Sequence, residues 1–313
     1  MTLRKRMIDQ LRSLALFVLL PSLMFACGGG AKKKDGNGGF DQDTLSKTGE
    51  QAKSDTSKAG TETFYRVPTP GHMLSIFERY DKEPKEELLL DPGIAKNLVG
   101  SDQRAIHLGV YTTDLAYTSV FGLGQKSLSY FKTVRTLGDK LDVSSAFSKE
   151  TLERIKKNIG KDSLKNISRE TYMEAFNYLE RNDRGETLAL LVAGGWTEAL
   201  YLSVNMVDKY EKGDPMIQYV ADQDASFKNL RMFLKKHKKN ERVAKLLDQM
   251  QGLKKAYDAL EKRGGTSKMD EGKGGKMVLS GGSSLKIDKK GLKKIRKEAN
   301  ALRSKVVQTK NQK

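Results

Sequence analysis

The chain has 313 residues, 57 Lys+Arg against 39 Asp+Glu for a formal charge of +18, 37% hydrophobic residues, three His and one Cys. That composition suits a globular domain with polar appendages. A single cysteine excludes a disulfide framework and any thiolate-ligated zinc or iron–sulfur centre, and His72, His107 and His237 lack ligand-like spacing, so neither a metal site nor a cofactor is expected.

Arg4, Lys5, Arg6 and Arg12 precede an unbroken apolar run, Leu14 to Leu20, that stops at Pro21. A basic flank and a short apolar core predict a secretory signal peptide over 1–26, too short to span a bilayer alone. Leu23-Met24-Phe25-Ala26-Cys27, followed by Gly28-Gly29-Gly30, stands where a signal peptidase would cut. This stretch resembles the lipobox of bacterial lipoproteins, in which the cysteine thiol is alkylated with diacylglycerol and becomes the mature first residue. The resemblance implies lipidation of Cys27 and attachment to the membrane through diacylglyceryl-Cys27. The competing reading of a lone cysteine is a buried thiol, but a position between an apolar run and a Gly/Lys tract has no core to join. Two or more acyl chains hold firmly where one binds marginally.

Residues 28–62 contain almost no large apolar side chains and balance six Lys with six Asp+Glu. Nothing there can offset chain entropy by burial, so 27–62 reads as the lipidated Cys and a disordered tether, with a random-coil span of ~30–35 Å.

Thr69-Pro70 predicts a helix start, with His72, Met73, Leu74, Ile76 and Phe77 inside it, then a loop around Asp91-Pro92-Gly93. Further helices are expected over about 102–120 and after Gly124, the latter with Leu128, Phe131, Val134, Leu137 and Leu141 on one face. Another has Ser148 as N-cap, Phe147 and Leu152 as the staple, and Gly160 as its stop. The pattern continues over 162–182 through Leu164, Ile167, Tyr172, Ala175, Phe176 and Leu179.

Asp183 and Glu186 have the spacing of an acidic capping box for a central helix, 184 to about 211. Leu188 to Val207 is apolar on every side. Its length would suit a membrane span, but Thr197, Glu198, Ser203 and Asn205 interrupt it and an acylated amino terminus already supplies attachment, so a central bundle helix is the better reading. Gly194-Gly195 would then let a neighbour approach closely.

Asp214-Pro215 caps the next helix, Phe227 to Leu234 lies in another, and Val243, Leu246, Leu247, Met250, Leu253, Tyr257 and Leu260 mark a long amphipathic one. A Gly/Lys loop over 264–276, a short strand at Met277–Ser280 and a segment at Ser284–Ile287 lead to a last helix over about 289–307. The fold expected is therefore all-α: a multi-helix bundle around the 184–211 helix, with at most a small strand element near 277–287. Its helical core spans 63–263, and 264–313 adds a basic loop and an amphipathic helix packed on that core.

Leu108 to Tyr117, Glu153-Arg154-Ile155 through Asp162-Ser163-Leu164, and Leu191 to Tyr201 resemble a family of uncharacterised, mostly helical cell-envelope lipoproteins of the Bacteroidetes. The resemblance covers roughly 64–306 and implies a helical fold and an envelope location, with no established activity. The expected localisation is the cell envelope, facing the periplasm, with the outer membrane preferred over the inner.

Charge is unevenly placed. Residues 63–200 carry 19 basic and 19 acidic side chains, whereas 251–313 carry 18 and 6, so +12 of the +18 lies in the last 63 residues. Lys289, Lys290, Lys293, Lys294, Arg296 and Lys297 are candidates for contact with an anionic surface; export argues against nucleic acid. The bland alternative is a solvated helix face, because Leu292, Ile295, Ala299, Leu302 and Val306 recur at helical spacing and would pack on the domain.

The remaining constellation is polar residues within apolar helices. His107, Tyr111, Asp114 and Thr118 share one helix face; Thr197, Glu198, Tyr201, Asn205 and Asp208 mark a stripe on the central helix. If the stripes face each other they would line an interhelical cleft, with His107, Tyr111, Asp114, Glu198, Tyr201 and Asn205 as candidate ligand-binding residues. The alternative is a satisfied network that sets helix register. Gly122 to Ser127 lacks the Gly before Lys-Ser and the strand that a Walker A loop needs, and Ser283 to Lys286 with Lys47-Thr48-Gly49 echo penicillin-binding-protein motifs in reversed order. With no nucleophile–base pair visible, the expectation is a non-enzymatic, lipid-anchored envelope protein contacting a periplasmic protein or acidic polymer. The alternative is a small-ligand or cation binding module built on the cleft.

Overall fold

The computed structural model describes residues 75–80, 82–143, 153, 161–262, 268–272, 276–280 and 285–308, all within one compact unit, Glu62–Lys313. The expected signal peptide, Cys27, the tether, the Thr69-Pro70 helix start and, apart from the helical Glu153, the Ser148-capped helix lie outside the described residues.

Eight α-helices are present among the described residues: α1 Ser101–Val120, α2 Gly124–Asp139, α3 Lys161–Arg181, α4 Gly185–Met206, α5 Pro215–Lys236, α6 Glu241–Gln249, α7 Gln251–Asp258 and α8 Lys289–Val307. Two short antiparallel ladders stand between α7 and α8. In one, β1 (Glu261–Lys262) pairs with β4 (Leu285–Lys286); in the other, β2 (Lys268–Gly272) pairs with β3 (Lys276–Ser280). The fold is an all-α bundle.

Helix α4 is its axis. It is long and apolar enough to cross a membrane, yet 89% of its apolar stretch is buried inside the domain, packed on α1, α8, α5 and α3. That explains why it is apolar on every side. The α1–α4 crossing depends on glycine: a Cβ on Gly109 would fall on the Leu191 carbonyl, and one on Gly194 on the Ile106 carbonyl. With no side chain between them, the backbones touch. Thr113 Oγ1 then donates across the crossing to the Gly195 carbonyl at 3.1 Å.

Helix ends follow local chemistry. Asp214 Oδ1 accepts from Met216 N (2.7 Å) and Pro215 begins α5. Asn240 Oδ1 accepts from Val243 N at the start of α6, and Asp288 Oδ1 from Gly291 N at the start of α8. At their C-termini α1, α2 and α3 close through Gly122, Asp142 and Asp183, each with positive φ. In each case the following N–H reaches back to the last turn: Leu123 to Thr118 O, Val143 to Gly138 O and Arg184 to Leu179 O.

The last helix buries Leu292, Ile295, Ala299, Leu302 and Val306, the apolar face expected from its periodicity. At roughly 1.5–3 kcal/mol for each large aliphatic side chain, this stripe holds α8 as part of the core.

Several boundaries differ from the sequence expectation. The first described residues form a 3-10 turn, Ser75–Glu78, and Asp91-Pro92-Gly93 opens a 3-10 helix, Pro92–Asn97, with Asp91 as its cap. The Asp183–Glu186 capping box does not form, because Asp183 is spent closing α3 in a left-handed conformation and α4 begins without a side-chain cap. α4 stops at Met206 rather than near 211. Phe227 to Leu234 belongs to α5, and the long amphipathic helix is divided at Met250 into α6 and α7. The 264–276 loop contains β2, since strand β3 needs a partner for its backbone.

Candidate functional site

The two polar stripes do face each other. α1 brings Tyr111 and Asp114, and α4 brings Glu198 and Tyr201, to one junction, but the closing residue comes from α8. Arg303 donates from Nε to Glu198 Oε2 (3.0 Å) and from Nη2 to Glu198 Oε1 (3.1 Å), a bidentate pair. Its guanidinium also lies over the Tyr201 ring, 4.6 Å from the centroid. Asp114 Oδ2 accepts from the Leu90 N–H at 3.2 Å, and its carboxyl meets that of Glu198.

Asp114 and Glu198 are both 0% exposed. Two carboxylates cannot share one guanidinium in a dry site as two anions. Burial raises Asp114 well above the usual carboxylate range, and the neighbouring Glu198 charge pushes the same way. Burial raises Glu198 too, but the charge and hydrogen bonds of Arg303 oppose that. Of the two, Asp114 is the carboxyl pushed harder toward its protonated form, and Arg303 holds Glu198 toward the carboxylate. Asp114 Oδ1 is buried and accepts from no N–H or O–H group.

Around this centre the polar groups bind a strap, residues 85–91, to the bundle. Tyr111 Oη donates to Asp91 O (2.8 Å) and Tyr130 Oη to Leu90 O (3.1 Å). Tyr117 Oη accepts from Lys85 N (2.8 Å), and Lys85 Nζ donates to Asn205 O (2.9 Å) and Asp208 Oδ1 (2.5 Å).

Asn205 Nδ2 donates to Asn300 Oδ1 at 2.8 Å, a second tie between α4 and α8. His107 sits at the opposite end of α8, with Nδ1 2.8 Å from Gln103 O and Nε2 3.3 Å from Val307 O; desolvation lowers its pKa. Thr118 is tied to its own helix and to Ser127. Thr197 is buried with no partner for Oγ1, and Asp208 lies beyond the end of α4, exposed and paired with Lys85.

The expected ligand cleft is thus closed. Of its residues, Asp114, Glu198, Tyr111 and His107 are fully buried, while Tyr201 and Asn205 are half-buried. Neither the cavity of about 320 Å³ beside the start of α8 nor the groove of about 800 Å³ beside the start of α1 is lined by Asp114, Glu198 or Tyr201. Among the described residues no group of three or more His, Cys, Asp or Glu is placed to hold a metal ion. The arrangement joins one ion pair to a second buried carboxyl, and ties three helices and the strap together.

The basic candidates divide. Lys289, Lys290, Lys293, Lys294 and Lys297 are exposed and, among the described residues, form no ion pair with a carboxylate. Arg296 does not belong with them: it donates from Nε to Val204 O (2.9 Å) and from Nη2 to Val207 O (2.5 Å), satisfying carbonyls at the end of α4.

Arg303 was not among the sequence candidates. A signal for it existed: within 289–305 the bases are lysines except at 296 and 303, seven residues apart and each directly following a residue of the buried stripe. A forked donor on the edge of an apolar face is suited to oxygen acceptors on the neighbour.

Compared with protein-family models, with curated proteins and with solved structures, the chain has no match.

Proposed function

We propose that this is a lipid-anchored, non-enzymatic protein of the cell envelope, held by diacylglyceryl-Cys27 and displaying a helical domain whose working surface is the exposed lysine row of α8. The partner is an anionic component of the envelope. The observation that carries this reading is the division of α8. Its apolar stripe and both arginines are committed to the core, whereas its six lysines, Lys305 included, face solvent without carboxylate partners among the described residues. The ionisable side chains of the polar centre are engaged in holding the bundle together, which favours a surface role over a cleft that binds a small ligand. The lipobox and the resemblance to envelope lipoproteins supply the location.

The test is metabolic labelling of the whole chain with palmitate in a bacterial host, followed by membrane fractionation. Label in the wild type, its loss in Cys27→Ser, and release of the variant from membranes by high salt are the expected results. An unlabelled wild type would overturn the anchor.

A further inference from the structure

The exposed lysines share an end of the domain with the first described segment, Ser75–Tyr80. Tyr80 Oη donates to Asp214 Oδ2 (3.1 Å), so the first described segment is pinned to the loop that joins α4 to α5. The same loop holds the start of α8: Tyr210 Oη donates to Ile287 O (3.2 Å), and Gln218 Nε2, in the first turn of α5, donates to Leu285 O (3.2 Å). α8 runs antiparallel to α4, with Arg303 at Glu198 and Arg296 at Val204 and Val207. Its first turns therefore project past the end of α4, toward this loop.

Exposed at this end are Lys82, just before the strap, Lys209 and Lys212 from the α4–α5 loop, and Lys289, Lys290 and Lys293 from α8, against the exposed carboxylates Glu83 and Glu211. The cavity of about 320 Å³ opens beside them, with Lys286, Lys290 and Lys294 on its walls. Glu261 is paired with Lys286, Asp208 with Lys85, and Asp214 and Asp288 are occupied as helix caps. The large apolar side chains exposed among the described residues, Val99, Met173 and Met232, lie elsewhere, so contact here is by charge and not by insertion.

Resting on the anchored reading above, the geometry points to a second attachment to the same bilayer: the end of the domain formed by the strap, the α4–α5 loop and the first turns of α8 lies against anionic phospholipid headgroups. An acyl anchor and a polybasic surface are each stronger together, since the anchor keeps the lysines at high local concentration over the leaflet. A contact at the end where the described residues begin is within reach of a tether of ~30–35 Å random-coil span. An acidic polymer would have no reason to meet the lysines at that end in particular.

The opposite end supplies a matched control. α5 begins at Pro215, after its Asp214 cap, and spans about 33 Å at 1.5 Å per residue; its last turn and the chain after it carry exposed Lys235, Lys238 and Lys239 near His237, which packs on Gly185 at the start of α4. The experiment is co-sedimentation of the whole chain carrying Cys27→Ser with phosphatidylcholine vesicles, with and without phosphatidylglycerol, at low and high salt. Any contribution of the basic and apolar 1–26 segment is common to the wild type and both lysine sets and drops out of the comparison between them.

The expected result is phosphatidylglycerol-dependent, salt-sensitive sedimentation that falls about tenfold or more in Lys289→Glu/Lys290→Glu/Lys293→Glu and is retained in Lys235→Glu/Lys238→Glu/Lys239→Glu. Both sets should unfold at the wild-type temperature; if the first does not, the glutamine versions of the same three replace it.

Equal loss in both sets would reduce the effect to net charge and overturn the proposal, as would sedimentation indifferent to phosphatidylglycerol. Binding to soluble polyglutamate, lost in the α8 set, without binding to the anionic vesicles would overturn it in favour of an acidic polymer. Because Cys27 is absent from this assay, failure of lipidation in the labelling experiment is read separately from failure of the lysine surface.

Discussion

The inward and outward sides of α8 carry the same charge to different ends. Inward, Arg303 forks onto Glu198 and Arg296 onto the carbonyls of Val204 and Val207. Outward, Lys289, Lys290, Lys293, Lys294 and Lys297 stand in solvent. The difference follows from the head groups: a planar guanidinium can satisfy two fixed oxygens at once and is weakly hydrated, whereas an ammonium keeps its water. A count of basic residues merges these sides; the geometry separates stability from surface. It also rules out removing 264–313 as a clean probe of the lysines, because that deletion takes Arg303 and the buried stripe with it.

The comparison breaks first at Glu198. Glu198→Gln leaves the Arg303 charge buried without its partner and should cost about 3–5 kcal/mol, read from the denaturant midpoint. In the double variant Glu198→Leu/Arg303→Met most of that loss should return, since the charges leave together; a double variant as unstable as the single would show that the pair is not the cause. Next is Arg296→Met, which strands the end of α4 and should cost about 1.5–3 kcal/mol by the same measurement. A loss below the error of that experiment would return Arg296 to the outer side.

The third effect is on pH dependence. Folding raises the Asp114 pKa, so its contribution is complete below the unfolded value of about 3.9 and is lost as pH rises through the folded one. Asp114→Asn should flatten that decline in a series of melting curves. His107 runs the other way: its pKa is lowered, so its contribution is complete above about 6.5 and is lost as pH falls from there toward the folded value. In Asp114→Asn this acid-side fall should persist. An unchanged alkaline slope in that variant would refute the placing of the raised pKa on Asp114. The smallest effect belongs to the outer side: Lys289→Gln, Lys293→Gln and Lys297→Gln should each change stability by no more than about 0.5 kcal/mol, and a larger loss would mean that these lysines are structural after all.

Periodicity and capping chemistry are properties of neighbouring residues, and by themselves they determined the all-α class, the α1, α2, α3 and α8 segments, the Asp214-Pro215 start of α5, the burial of the apolar central helix and the inner face of α8. The polar stripes on α1 and α4 were legible too, because a helix repeats every 3.6 residues wherever it lies. What only the tertiary structure decided were the outcomes set by distant partners. Asp183 closes α3 instead of capping α4. β2 forms because β3 needs a strand beside it. The polar stripes meet as a sealed junction because α8 and the 85–91 strap cover them. Arg296 and Arg303 leave the basic surface because acceptors await them about 90 to 105 residues earlier in the chain. A local sequence specifies which side of a helix can be buried, but burial of a charge depends on the group that meets it, and that group is supplied by packing.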